Sequence, residues 1–266
     1  MEPIVFDTPG RLEVKVALPA GTLRVETGHA GRTELLFQKV KAPKDLDVRL
    51  DDLAGGGHRL SIGYKGAKFG FHDREIVLAL RCPDGTDIEM SGGAADLTIV
   101  GTAGTVDFRT GSGDLAFDQA TGSVRVKVGS GDVEGRRVGG VFTMHGASGD
   151  IRLEAVGGGL VVKTASGDLS VGAVDGDVTV TSVSGDVELG SVREGHAQIR
   201  SVSGDVSVGV AAGAEVLLDV RATSGDARSD LTMVEGPASE GRRLELTVVT
   251  VSGDIRIRRV AAREPV

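Results

Sequence analysis

Aspartate recurs along this chain at Asp96, Asp114, Asp132, Asp150, Asp168, Asp186, Asp205, Asp226 and Asp254. All but the first close a Ser-Gly-Asp tripeptide, and successive tripeptides lie 18 residues apart four times, then 19, 21 and 28. A column of carboxylates is hard-oxygen chemistry of the kind that takes calcium. Calcium-binding β-rolls, however, use Gly-Gly-x-Gly-x-Asp and present backbone carbonyls from both turns of each coil. Here each repeat has a single Ser-Gly-Asp, and the opposite turn has no matching Asp column. The pattern points instead to Asx-type turns, in which each carboxylate accepts local backbone N–H bonds and the Ser hydroxyls tie neighbouring turns together. Asp114, Asp132, Asp150, Asp168, Asp186, Asp205, Asp226 and Asp254 are therefore read as a structural turn ladder, with no metal site.

A second column stands three residues before each repeat Ser: Arg109, Lys127, His145, Lys163, Thr181, Arg200 and Arg221. Strand alternation points it outward. A stripe of cations can hold an anionic polymer or an acidic protein, and it can equally serve as a charged face that holds off aggregation. The net charge of −8 disfavours general nucleic-acid binding, and no aromatics interleave with the stripe for base stacking. Between Lys65 and His72, Phe69 and Phe71 stand among glycines, either exposed for contact or tucked under a cap. The candidate partner contacts are thus Arg109, Lys127, His145, Lys163, Arg200, Arg221, Phe69 and Phe71.

Other chemistry finds no support in the spacing. His29, His58, His72, His145 and His196 show no metal-ligand spacing, and the sequence has no Gly-x-Ser-x-Gly elbow, phosphate-binding Gly-Lys-Ser/Thr loop or His-Glu-x-x-His. No catalytic residue and no cofactor are expected. Cys82 is the single cysteine, which rules out a disulfide within one chain. No apolar run approaches the roughly 20 residues of a membrane helix. Residues 1–11 lack a basic stretch followed by an apolar one, so no signal peptide is read and a cytoplasmic location is expected.

The elements that hold these columns follow from the same repeat. Glycine is abundant, at 41 residues, while aromatics are 3% and Trp is absent, so the core must be Val, Leu, Ile and Ala. Each 18-residue unit contains two nine-residue halves, as Gly-Asp-Leu-Ser-Val at 167–171 and Gly-Asp-Val-Thr-Val at 176–180 show. Apolar residues fall at fixed offsets: Leu169, Val171, Val174, Val178, Val180 and Val183 in one unit, and Ile151, Leu153, Val156, Leu160, Val162 and Ala165 in the one before. The preceding unit gives Val133, Val138, Phe142, Met144 and Ala147. Gly104, Gly122, Gly140, Gly158, Gly176 and Gly195 mark the second turn of each rung. The expected fold is all-β: a single parallel-β-helix-like solenoid with 18-residue rungs. Residues 1–93 keep strand alternation without the strict period and read as degenerate rungs or an N-terminal cap. Residues 94–266 read as the regular solenoid with a C-terminal edge cap, in which Ile255–Arg259 forms a charged edge strand. A loop around Glu235-Gly236-Pro237 is expected to fold over that edge.

Leu-Pro-Ala-Gly at 18–21, the tandem Ser-Gly-Asp-Val-x-Val repeats and Ser-Gly-Asp-Ile-x-Ile-Arg-Arg at 252–259 resemble a bacterial family of adhesin-like β-strand-repeat proteins of unknown function. The resemblance covers nearly the whole chain. It implies the repeat architecture and carries no catalytic residues. The expected function is a non-catalytic structural or interaction scaffold, touching a partner or itself through the faces or ends of the solenoid. The alternative is a polysaccharide-binding or polysaccharide-degrading β-helix protein, which needs long loops with clustered Asp, Lys and Arg on adjacent rungs. Only the last repeat intervals are expanded.

Overall fold

A computed structural model describes residues 3–39, 46–64, 76–231 and 243–261, and among them are strands and turns but no helix. The chain divides into two compact units, Met1–Gly135 and Arg136–Val266. The first holds β1 (Ile4–Asp7), β2 (Leu12–Glu26), β3 (Arg32–Lys39), β4 (Leu46–Asp52), β5 (His58–Tyr64), β6 (Ile76–Arg81), β7 (Thr86–Ser112), β8 (Leu115–Ala120) and β9 (Val124–Ser130), and β10 (Val133–Val138) spans the division. The second holds β11 (Phe142–Ser148), β12 (Ile151–Val156), β13 (Leu160–Ser166), β14 (Leu169–Val174), β15 (Val178–Ser184) and β16 (Val187–Val192), followed by β17 (Gly195–Ser203), β18 (Val206–Ala211), β19 (Glu215–Ser224), β20 (Ala227–Ser229), β21 (Arg243–Ser252) and β22 (Ile255–Val260).

The 18-residue period sets the strand register, so the fold is a β-solenoid. In the first unit β7 pairs β9 in parallel, with Val106 beside Val124 and Ser112 beside Ser130. The less regular start of the chain obeys the same stacking: β2 runs parallel to β7 from Glu13 beside Asp87 to Glu26 beside Val100. Its outer strands depart from it. β3 is antiparallel to β6 and to β1, and β4 is antiparallel to β5. These are the pairings that close off a parallel stack, whose bare edge would otherwise recruit other chains.

In the second unit two parallel columns form, β11–β13–β15–β17 and β12–β14–β16–β18, with Val162 beside Val180 and Val180 beside Ile199. The order then leaves the sequence. β21 lies between β17 and β19, placing Val248 beside both Ile199 and Val220. β22 likewise lies between β18 and β20. Ile255–Arg259 is therefore not the edge strand expected of it; among the described residues the outermost rung of this unit is β19–β20. Both late rungs carry Ser-Gly-Asp and the same alternation, so hydrogen bonding alone does not fix which stacks on β17–β18.

Burial confirms most of the apolar columns and corrects one. Leu169, Val171, Val174, Val178 and Val180 are buried, but Val183 is 49% exposed, and Ala147 and Ala165 are exposed as well. Alternation counted from Val178 and Val180 puts position 182 inside and 183 outside. The inward position two before the repeat Ser holds a small polar residue in five of the eight repeats, Thr110, Thr164, Ser182, Ser201 and Thr250, all buried; the others have Val128, Gly146 and Ala222 there. Four of these hydroxyls return a hydrogen bond to the carbonyl of the repeat Ser: Thr110 at 2.7 Å, Thr164 at 2.9 Å, Ser182 at 3.2 Å and Thr250 at 3.3 Å. Each of these buried hydroxyls thus has its own hydrogen bond made at the end of the strand. Ser201 Oγ is buried without a hydrogen-bond partner among the described residues.

Candidate interaction surface

The Asp column forms a ladder between rungs. In the first unit the Asp114 N–H donates to Asp96 Oδ1 at 3.1 Å and the Asp132 N–H to Asp114 Oδ1 at 2.8 Å. In the second, Asp168 donates to Asp150 at 3.0 Å, Asp186 to Asp168 at 2.9 Å and Asp205 to Asp186 at 2.8 Å. Asp254 donates to Asp205 at 2.8 Å and Asp226 to Asp254 at 3.0 Å. The carboxylates thus serve the neighbouring rung rather than their own turn, a correction to the local Asx reading. Its cause is the backbone. Gly167 and Gly185 sit at φ +113° and +115°, a conformation open to glycine, and an added Cβ there would overlap the carbonyl of the Gly one rung earlier. Turns stacked this tightly aim each Asp N–H at the rung before. The Ser hydroxyls of the repeat find no protein partner among the described residues; their carbonyls tie the turns instead, accepting the Gly N–H one rung earlier at 3.0 Å from Gly113 to Ser130 and 3.2 Å from Gly185 to Ser203. The N–H of Asp168, and secondarily Arg152, holds the Asp150 carboxyl below its ordinary value. Among the described residues no cluster of three or more His, Cys, Asp or Glu is placed to hold a metal ion.

The basic column is outward and exposed at Arg109, Lys127, His145, Lys163, Arg200 and Arg221. Arg109 stands beside Lys127 in the first unit. In the second the order is His145, Lys163, Thr181, Arg200, Val249, Arg221, because β21 intervenes before the last. Arg109 in the first unit and Arg221 in the second are neutralised at home. Arg109 bonds Asp107 and lies 3.5 Å from Glu89. Arg221 donates to Asp219 through Nε at 3.1 Å and through its terminal nitrogen at 3.0 Å. Lys127, Lys163 and Arg200 make no ion pair among the described residues. Phe69 and Phe71, like Glu235–Pro237, lie outside the described residues.

Two surface features were not read from the sequence. Val183, Val202 and Val251 are 49%, 47% and 50% exposed and stack in adjacent rungs, bracketed by the Ser182–Ser201 and Ser201–Thr250 pairs. Counting alternation from Val180 would have placed them outside. The other is a shallow cleft of about 460 Å³ lined by Ser170, Gly172, Glu188, Gly190, Arg258 and Val260 among others. Arg258 reaches across it to Glu188 at 3.4 Å. Among the described residues its lining has the carboxylate of Glu188, which Arg258 engages. Cys82, buried in the first unit, has its thiol pushed up to about 11 by burial, which keeps it protonated and inert.

No curated protein matches the chain. Crystal structures similar to it include a candidate adhesin from Bacteroides fragilis at 11% identity, with 97% of this chain and 96% of that one covered and a TM-score of 0.44. A candidate lipid-binding protein from Parabacteroides distasonis is 16% identical, with 97% and 96% covered and a TM-score of 0.41. A candidate adhesin from Parabacteroides merdae is 13% identical, with 97% and 95% covered and a TM-score of 0.30. Residues 54–258, most of the rungs described above, match the family described as Toastrack DUF4097, and the chain belongs to that family.

Proposed function

We propose that this protein is a non-catalytic interaction scaffold that captures an anionic polymer or an acidic protein through the basic columns of its two units. The observation that carries the reading is the contrast within those columns. Arg109 and Arg221 are neutralised by carboxylates of their own strands, whereas Lys127, Lys163 and Arg200 stand exposed without an ion pair among the described residues. Lys163 and Arg200 are two rungs apart, about 9.6 Å at the strand spacing of a sheet. Cations at a fixed repeat on a rigid face suit a partner whose own charges repeat.

The test is retention on immobilised polyglutamate in a salt gradient. The wild type binds at low salt and elutes as salt screens the contact. Lys127→Glu, Lys163→Glu and Arg200→Glu together leave the fold intact, because all three point outward, and abolish retention. Undiminished retention of the triple variant clears the column of this role. Turnover of a glycan by the purified protein overturns the non-catalytic reading.

A further inference from the structure

We infer that two copies of this chain associate through β19, each copy pairing its own β19 antiparallel with the other's about a two-fold axis at Leu218. The inference rests on the scaffold reading and names the end through which self-association runs.

β19 has β21 on one side, and among the described residues no strand pairs with its other edge. Its inward positions continue the core columns, with Val216 beside Leu244, Leu218 beside Leu246 and Val220 beside Val248. Those three β21 residues are fully buried, yet Leu218 is 37% exposed and Val216 and Val220 are half-buried. Open main-chain donors and acceptors beside an uncovered apolar column are what an added strand satisfies.

The strand's own sequence argues for a second copy as the occupant. About an axis at Leu218, that leucine faces itself, Val216 faces Val220 and Ala214 faces Ala222, so the inward columns meet apolar against apolar. On the outer face Glu215 meets Arg221 of the second copy, twice by symmetry. Glu215 has no ion pair among the described residues, so the contact supplies its missing counter-charge. A one-residue slip sends the apolar set outward. An axis at Val220 sets Leu218 against Ala222 and leaves Glu215 without a cation.

Sedimentation across the micromolar range reads the outcome. The wild type dimerises, Glu215→Arg and Arg221→Glu each weaken the dimer about tenfold or more by setting like charges together, and the double variant restores it. Under mild oxidation Leu218→Cys cross-links to itself, while Val220→Cys and Leu217→Cys do not. Circular dichroism confirms that each variant is folded. A monomer at every concentration overturns the inference, as does a dimer indifferent to the charge swap or cross-linked through Val220→Cys. The Lys127, Lys163 and Arg200 variant dimerises like the wild type, so loss of polyglutamate binding and loss of the dimer are separable results.

Discussion

The backbone N–H of Asp168 donates to Oδ1 of Asp150, 18 residues earlier, at 3.0 Å. That bond favours the ionised carboxylate and lowers the Asp150 pKa, with Arg152 adding to it. A carboxylate whose folded pKa is depressed contributes stability above its unfolded value, about 3.9, and loses it as pH falls through the folded value. Melting temperature should therefore drop as pH is taken from about 5 to about 2. Asp150→Asn keeps an acceptor oxygen without the charge, so its melting curve should be flatter over the same window. Equal acid slopes in thermal melts of the two proteins would rule out the charged ladder as a stabilising element.

Val180 and Val183 are three residues apart on one strand and should respond oppositely to the same change. Val180 is 1% exposed in the core. Val180→Asp buries an unpaired carboxylate and should cost about 3–5 kcal/mol. Val183→Asp falls on the surface and should stay within about 0.5 kcal/mol of the wild type. Urea unfolding midpoints measure both, and a large loss for Val183→Asp would mean its column is covered in solution.

The turn glycines should differ from glycines elsewhere. Gly10, at φ +85°, has open space where a Cβ would go, so Gly10→Ala meets only the left-handed backbone cost of about 1–2 kcal/mol. Gly167→Ala adds a clash with the Gly149 carbonyl and should cost about 1–3 kcal/mol more. Similar melting temperatures for the two variants would show that the rungs can separate at little cost.

Millimolar calcium should leave the melting temperature within about 1 °C, because an ion that binds the native state raises it by mass action. Along the ladder the Oδ1 atoms are engaged by N–H groups of the next rung. A rise of several degrees, reversed by chelator, would show that the column competes its own hydrogen bonds away for metal.

The rung period was legible because Ser-Gly-Asp and the Val-x-Val alternation repeat together. Asp168 and Val180 therefore stand where spacing alone places them. Val183 was misassigned because apolarity was taken for burial. The residue that decides the phase there is the modest Ser182, whose buried hydroxyl caps a carbonyl at 3.2 Å. The reach of Asp150 to Asp168 across rungs was not legible, since a carboxylate and a turn have the same composition whichever N–H is nearest. The stacking order was equally hidden. Ser224 and Ser252 head rungs with the same donors and acceptors, and only three-dimensional closure puts β21 between β17 and β19. The unpaired state of Lys163 and Arg200 likewise depends on which acids the neighbouring rungs supply.

The displaced rung bears on how the chain is made. Residues 243–260 are synthesised after β19–β20, yet they fill the slot between β17–β18 and β19–β20. Until they arrive, β19–β20 and β17–β18 each lack the neighbour they have in the folded stack. The native order is complete only once β21–β22 has paired with both neighbours, β17–β18 on one side and β19–β20 on the other.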